Sequence, residues 1–268
     1  MAESGRLYKR AAAEDGAPGP LWHLGGGLTF FAGPLDYNAS HQHGAPVYLA
    51  GLDGPFGLRI GGGPWLTCRT AAIPAGVPHE LDLGGSPLAV FYVEATVAGF
   101  DILASLLRGA EETGGALVGG RGETRLLRDL YEDRHATRWA GEALRDLLDF
   151  SGRRATRTID PRLSRALQAL QASSDEPGDA PMPVACIARA VGLSPSRFQH
   201  LFTEEMGVPF RRYRAWSRMR TAIAEIVSGA NFTTAAHTAG YADQAHFAHD
   251  FRRTFGAPAS RSLTGIRS

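Results

Sequence analysis

An internal repeat in the carboxy-terminal half constrains the fold of this chain more than any other feature of its sequence. The stretch "VACIARAVGLSPSRFQHLFTEEMGVP" (184–209) aligns with "FTTAAHTAGYADQAHFAHDFRRTFGAP" (232–258). The aligned phenylalanines are 49 residues apart: Phe198 with Phe247 and Phe202 with Phe251. Each copy has the pattern of helix, glycine turn and helix. We therefore predict two helix-turn-helix units, over 184–206 and 232–255.

The second helix of each unit has one apolar stripe and one outward face. At about 100° per residue, Phe198, Leu201 and Phe202 share a stripe in the first copy. The phenylalanines at 247, 251 and 255 do the same in the second copy. In a helix-turn-helix the outward face of the second helix lies in the DNA major groove. The outward residues, which we predict as DNA contacts, are Ser196, Arg197, Gln199, His200, Thr203, Ala245, His249 and Arg252.

The segment between the two copies predicts one long helix. It runs from Pro209, a residue favoured at a first helical position, to Gly229, which suits a helix end. Roughly twenty residues at 1.5 Å each give a helix of about 30 Å. The major groove recurs on one face of DNA every ~34 Å. One such helix can set two recognition helices in successive segments of the groove, so that a single chain could contact two half-sites.

Charge is divided unevenly between the two halves. Residues 153–268 contain 16 Arg and 9 acidic residues, which gives +7, whereas residues 1–152 contain 12 basic and 18 acidic residues, which gives −6. This asymmetry indicates a module that binds a polyanion, joined to a second module of different function.

Cysteine usage and hydropathy favour a cytoplasmic protein that does not enter a membrane. Cys68 and Cys186 are the two cysteines and lie in different halves, which argues against a disulfide framework and for a reducing compartment. The first twenty residues have no apolar core of signal-peptide length. No stretch approaches the ~20 apolar residues of a membrane span.

The amino-terminal half consists of short apolar or alternating runs that Gly and Pro interrupt. Examples are "VYLAGL", "WLTCRTAAI" and "LAVFYVE", and this pattern predicts an all-β barrel or sandwich. Helical periodicity begins after Thr96. We predict an α+β chain with a β-barrel sensor domain over 1–95, connecting helices over 96–155 that could form a dimer contact, and a DNA-binding domain over 156–268.

Three histidines in the β segment form a candidate ligand site. His41 and His43 are two apart and so share one face of a strand, and His79 follows in "PAGVPHEL". Three neutral imidazoles could hold a divalent cation such as Zn²⁺ at ~2.0–2.1 Å. They could instead line a pocket for a small-molecule effector, or merely pack in the core.

These motifs resemble those of the cupin barrel, with "HQH" as the first motif and "PAGVPH" as the second. Metal-binding cupins usually carry a Glu four or five residues after the second histidine, where this chain has Val47 and Tyr48. Because that carboxylate is absent, we favour the small-molecule pocket over a metal site and name no certain cofactor.

The carboxy-terminal half resembles the AraC family of bacterial transcription regulators. The matching residues are "ARAVGLSPSRFQHLF", "AGYADQAHFAHDFRRTFG", and Arg218 and Ala222 of the linker. The resemblance implies two helix-turn-helix units on one linker helix and an amino-terminal cupin-like domain that senses an effector. The base-reading positions that it implies are Ser196, Gln199 and His200 in the first unit and Gln244, Ala245, His246 and His249 in the second.

One departure concerns the end of the second unit. Family members usually carry a Pro three residues after its glycine and an aromatic residue six after it, but this chain has Ala259 and Ser262 there, with Pro258 one residue early. We therefore expect the last helix to be short or displaced.

The resulting hypothesis is an effector-controlled transcription regulator, an activator rather than a repressor and not an enzyme. Its expected partners are double-stranded operator DNA, a small-molecule or metal effector, RNA polymerase and a second copy of the chain. Two alternatives remain: a metal-dependent cupin enzyme or metal sensor fused to a DNA-binding domain, and an architectural DNA-binding protein that senses nothing.

Overall fold

The computed structural model describes residues 18–94, 97, 99–152, 160–174 and 182–267. The first part of the chain is rich in β-strands and the last part is helical. The strands are β1 (Leu21–Gly25), β2 (Leu28–Pro34), β3 (Tyr37–His41), β4 (Val47–Gly51), β5 (Phe56–Ile60), β6 (Trp65–Cys68), β7 (Thr70–Ile73), β8 (His79–Asp82), β9 (Pro87–Val93), β10 (Leu107–Arg108), β11 (Glu111–Thr113), β12 (Ala116–Gly119) and β13 (Arg121–Gly122).

Most strands belong to two antiparallel sheets that face each other. The large sheet has the order β1-β2-β9-β4-β7-β12-β11, and the small sheet has the order β3-β8-β5-β6. Ladder pairs join strands within each sheet and, among the described residues, none joins the two sheets. The β-rich prediction is confirmed in this coarser form, as two packed sheets rather than a closed barrel.

The large sheet is buried on both faces, which explains why its strands are continuous apolar runs. In β4, Val47 and Leu49 point towards the small sheet, whereas Tyr48 and Ala50 point into a second apolar cluster. That second cluster is built against the helices α1 (Phe100–Ala104), α2 (Arg125–Glu132) and α3 (Ala140–Gly152).

Residues 96–155 are not the purely helical connection that their periodicity predicts. Strands β10 to β13 lie inside this stretch, and β12 pairs with β7 in the large sheet. The helix that begins at Phe100 ends at Ala104, and a hairpin turns at Gly114 and Gly115, both at positive φ, where glycine is favoured. The stretch therefore completes the sheet before α2 and α3 cover it.

The helical part follows the internal repeat. Its helices are α4 (Pro161–Ser174), α5 (Val184–Ala190), α6 (Pro195–Met206), α7 (Phe210–Val227), α8 (Phe232–Thr238) and α9 (Gln244–Phe255). The pairs α5–α6 and α8–α9 occupy the two predicted units, and α7 is the linker helix. At about 1.5 Å per residue, its 18 residues span about 27 Å. Within the described residues, every helix is too short or too polar to cross a membrane.

The chain after α9 forms a short turn of 3₁₀ helix, Ala259–Arg261, in place of a full last helix. Ser262 follows it, and its carbonyl oxygen accepts a hydrogen bond from Trp22 Nε1 at 2.7 Å. This segment is thus bonded to β1, while Ala259 and Leu263 share an apolar cluster with the phenylalanines of α9.

Candidate nucleic-acid interface and interdomain histidine cluster

Local caps begin and end both recognition helices. Ser194 Oγ accepts from the Arg197 amide at 3.2 Å before α6, and Asp243 Oδ1 accepts from the His246 amide at 2.7 Å before α9. Each helix ends at a glycine, Gly207 or Gly256, with φ of 71°. The two recognition helices therefore have the same length and the same ends.

The structure places all ten candidate DNA contacts on solvent-exposed positions of these two helices. The apolar stripes of both helices face inwards and are buried. The exposed candidates are Ser196, Arg197, Gln199, His200 and Thr203 on α6, and Gln244, Ala245, His246, His249 and Arg252 on α9. Two local hydrogen bonds involve three of them: Thr203 Oγ1 donates to the Gln199 carbonyl at 2.9 Å, and Thr233 Oγ1 donates to Gln244 Oε1 at 3.0 Å.

An ion pair that the sequence pattern did not reveal fixes α9 on the linker helix. Arg218 of α7 contacts Asp250 of α9, with Nη2 and Oδ2 3.2 Å apart. The Arg218 guanidinium also lies 4.3 Å from the ring centroid of Tyr241. Arg218 was identified only through the family resemblance, and its partner is 32 residues away in sequence, so no local pattern could indicate the contact.

The structure brings the three candidate histidines together at the meeting of the two sheets and the helical part. His41 and His79 are directly opposite on β3 and β8, beside an irregularity in the register of β3. Their ring centroids are 4.3 Å apart, and the His43 ring lies 4.8 Å from His41 and 5.0 Å from His79. All three are buried, with 5%, 3% and 1% exposure for His41, His43 and His79.

Backbone carbonyls orient two of these rings. His41 Nδ1 donates to the Ala39 carbonyl at 2.7 Å, and His79 Nδ1 donates to the Val77 carbonyl at 3.0 Å. Because a carbonyl oxygen can only accept, Nδ1 carries the proton in both rings and Nε2 keeps its lone pair. Buried His79 Nε2 and His43 Nδ1 have no hydrogen-bond partner among the described residues.

Burial keeps these imidazoles uncharged. It lowers the pKa of His79 to about 4. Burial, followed by repulsion from the neighbouring histidines, also holds the pKa values of His41 and His43 well below the usual range. Neutral imidazoles with free lone pairs are the form that accepts a hydrogen bond or binds a metal ion.

The described residues supply no carboxylate to this cluster. The candidate ligand group consists of the three histidines, whose ligand atoms lie within 4.8 Å of one another. Val47 and Tyr48, which stand where a Glu is expected, are buried in β4, and Tyr48 Oη donates to the Glu123 carbonyl. Glu80 follows His79 but pairs with Arg59 on the opposite side of β8.

The helical part covers the histidine cluster. The His43 ring lies 5.7 Å from Phe255 at the end of α9 and 6.2 Å from Trp216 of α7. The cavity beside His41 and His43 is open to water-sized molecules over only about 40 Å³, and residues of both parts line it. The cluster is therefore an interdomain site rather than the open mouth of a barrel.

Several polar contacts hold the two parts together around this site. Asn38 Nδ2 donates to the Phe255 carbonyl at 2.8 Å, and the Ala39 amide donates to the Gly256 carbonyl at 3.0 Å. A Cβ on Gly256 would overlap the Ala39 carbonyl oxygen. The end of α9 thus lies directly against β3.

On the linker helix, Arg220 reaches back to the large sheet. Its guanidinium pairs with Glu94 and donates from Nε to Thr29 Oγ1 at 2.6 Å. The side chains of Arg220 and Glu94 are only 16% and 3% exposed, so this ion pair is buried between the two parts of the chain.

Comparison with known proteins agrees with the helical architecture. A family model described as "Helix-turn-helix domain" matches residues 187–264. The arabinose operon regulatory proteins of Salmonella typhimurium and Escherichia coli are 31% and 30% identical to this chain over 106 residues. The carboxy-terminal part of this chain is therefore similar to the matching part of these arabinose regulators. The matched stretch is 39% of this chain and only 38% and 36% of those two relatives, so the chain spans well under half of their length.

A solved structure has a similar fold over both parts of the chain. The structure of ToxT from Vibrio cholerae covers 91% of this chain and 100% of its own, with a TM-score of 0.57 and 10% identity. A ToxT structure described as bound to an unsaturated fatty acid has a TM-score of 0.58 and 16% identity, covering 90% and 97%. At such identities the likeness is one of fold alone.

The segment matched by the family model contains one group of candidate residues and not the other. Residues 187–264 include all ten candidate DNA contacts and none of the three histidines. Trp216 and Phe255 cover the histidines. Both lie inside the matched segment, although the histidines lie outside it.

Proposed function

We propose that this chain is a sequence-specific DNA-binding transcription regulator whose β-rich part binds an effector. The observation that carries the proposal is the pair of exposed polar faces on α6 and α9, which one 18-residue helix holds at a fixed separation. A linker of about 27 Å approaches the ~34 Å repeat of the major groove. The basic balance of residues 153–268 supports contact with phosphates.

The effector part of the proposal rests on the position of the histidine cluster. A ligand can shift the balance between two states only through unequal affinity for them. A site that the β-rich part forms and the helical part closes meets this condition, because binding there depends on how the two parts are docked. Activation through RNA polymerase, and a second copy of the chain bound through the helices α2 and α3, complete the proposal.

The alternative of a cupin enzyme fused to a DNA-binding domain has one observation in its favour, the three convergent histidines. A cavity of about 40 Å³ is far below the ~300–1,000 Å³ of ordinary small-molecule sites. It leaves no room for an organic substrate beside the imidazoles. We therefore propose a regulator without enzymatic activity.

The experiment that tests the function is selection of binding sites from random duplex DNA by the full-length chain, followed by footprinting. We expect two protected half-sites on one face of the DNA, separated by about one helical turn. Affinity should fall steeply as salt rises, because phosphate contacts release counterions. Binding without sequence preference, or affinity that does not depend on salt, would contradict the proposal.

Replacing Gln199 or Gln244 with alanine should weaken the free energy of DNA binding by about 1–3 kcal/mol. The preference for one base at a single position of the selected site should be relaxed. Gln199 is exposed on α6 and Gln244 on α9. The same change at Gln168, which is exposed on α4 outside both units, is the matched control and should leave binding unaltered. The measurement is titration against a panel of operator variants. If both variants bind every operator as the parent does, the recognition face has been assigned wrongly.

A further inference from the structure

The space beside the histidine cluster restricts what can bind there. About 40 Å³ is room for one or two water molecules, each of which takes ~30 Å³ in the liquid. A sugar or a fatty acid does not fit while Phe255 and Trp216 cover the cluster. The docked state therefore has room for a single ion with its water, but not for a larger ligand.

Two of the three rings have the outer hydrogen bond that is typical of metal-binding histidines. Metal-binding histidines usually donate their other ring N–H to a carbonyl or carboxylate, which fixes the tautomer and the orientation. His41 and His79 each donate Nδ1–H to a backbone carbonyl and leave Nε2 for a ligand. The ligand atoms of all three histidines lie within 4.8 Å of one another, close enough to make them one candidate ligand group.

The missing carboxylate does not exclude such an ion. Three histidines plus a water molecule form a complete tetrahedral set for Zn²⁺. The cavity has room for the water, and one further atom can accept a hydrogen bond from it. Buried Asn38 Oδ1 lines this cavity and has no hydrogen-bond partner among the described residues. A water molecule on the ion can donate a hydrogen bond to that oxygen.

Asn38 also connects this position to the recognition helix. Its Nδ2 donates to the carbonyl of Phe255, the last residue of α9. The neighbouring Ala39 amide donates to the Gly256 carbonyl. An ion whose water binds Asn38 Oδ1 would hold the amide in the orientation that contacts α9.

We propose that His41, His43 and His79 bind one divalent transition-metal ion, and that this ion, through its water and Asn38, strengthens the docking of α9 on the β-rich part. This inference rests on the proposed function and names the effector of the same site as a cation of the Zn²⁺ or Co²⁺ class. It reverses the preference for a small-molecule pocket, because the docked helices leave too little space for one.

The test is titration of the chelator-treated full-length chain with Co²⁺ and Zn²⁺. We expect one equivalent of tightly bound metal, a Co²⁺ visible spectrum of tetrahedral type, and a higher Tm on binding. His41→Gln and His79→Gln should each weaken the affinity at least 100-fold. His135→Gln changes an exposed histidine far from the cluster and should leave the affinity unaltered. A folded parent chain that binds no metal overturns the proposal.

A second pair of imidazoles makes a control necessary. His246 and His249 lie near Asp250 on α9, where a cation could bind at the surface. The double variant His246→Gln/His249→Gln should retain the stoichiometric site. If the metal is lost in that variant and retained in His79→Gln, the interdomain assignment is wrong.

The link to α9 has its own readout, hydrogen exchange at the Ala39 amide. Metal should slow this exchange about 10-fold or more in the parent chain, because the amide bonds to Gly256 across the interface. Asn38→Leu should weaken Co²⁺ affinity about 10- to 100-fold, as changes next to metal ligands do, and abolish the metal effect on exchange. If metal slows Ala39 exchange in Asn38→Leu as much as in the parent chain, Asn38 does not connect the metal to α9.

Binding-site selection with the same preparations separates this proposal from the proposed function. Specific DNA binding without metal uptake would overturn the cation site alone. Metal uptake without specific DNA binding would overturn the regulator and leave the cation site standing.

Discussion

Replacing Phe251 with alanine is expected to lower the free energy of unfolding by about 3–5 kcal/mol, and to loosen both parts of the chain together. Phe251 is fully buried, and its ring centroid lies 4.4 Å from that of Phe255. It belongs to one apolar cluster with Leu49 and Val90 of the large sheet. The measurements are urea denaturation and hydrogen exchange in β4 and β9, where exchange should become faster.

The matched control is Phe202→Ala, the same substitution at the equivalent position of the first unit. Phe202 is equally buried but packs against Phe198 and Phe210 in a separate cluster, which is built almost wholly from the helical part. We expect a comparable loss of stability with faster exchange confined to α4, α5, α6 and the start of α7. If Phe251→Ala also left β4 and β9 unaltered, the shared cluster would not couple the two parts.

Replacing Arg220 with methionine should lower the free energy of unfolding by about 3–5 kcal/mol, because it leaves Glu94 buried without the guanidinium that it contacts. The linker helix should separate from the large sheet, and exchange at α7 amides should become faster. Urea denaturation at neutral pH measures the loss.

A double variant distinguishes the loss of the ion pair from the loss of packing by the long side chain. The double variant Arg220→Met/Glu94→Gln removes both charges and should recover much of the stability. Arg162→Met breaks an exposed local pair with Asp160 and should have no measurable effect on unfolding. A double variant as unstable as Arg220→Met would show that the lost contacts of the arginine stem, rather than the charges, matter.

The helical part could be predicted closely because its signals are local. The capping residues Ser194 and Asp243 and the glycines at 207 and 256 each act on the adjacent turn of a helix. The alignment of the two copies shows the same local pattern twice. Such features determine where a helix begins, where it ends and which face is buried. The exposed recognition faces followed from the same periodicity.

The β-rich part was predictable as strands but not as sheets. Alternation and turn residues indicate that a strand exists, whereas pairing depends on residues far apart, such as Leu117 of β12 opposite Ala72 of β7. Helical periodicity after Thr96 concealed the short strands β10 to β13. Each is two to four residues long, too short for a period to be recognised.

For the candidate site, the sequence could indicate the three histidines but not the aromatic residues that pack over them. A two-residue spacing puts His41 and His43 on one side of the chain, and a motif resemblance adds His79. The cover, Trp216 and Phe255, belongs to helices whose apolar faces have an obvious role within their own units. Only the docking of the two parts shows that these rings also pack against the β-rich part, in one shared cluster.

The shared apolar cluster limits how evolution or engineering can exchange parts between this chain and its relatives. A chimaera that kept residues 18–152 and took its helical part from a distant relative would need matching side chains at Trp216, Met219 and Phe255, which belong to the shared cluster. Without them, the foreign domain would dock on an ill-fitting surface and expose apolar area to water. Functional hybrids should therefore arise when the residues of α7 and α9 that contact the β-rich part are inherited together with it. Recombination that separates these residues from the β-rich part should be selected against.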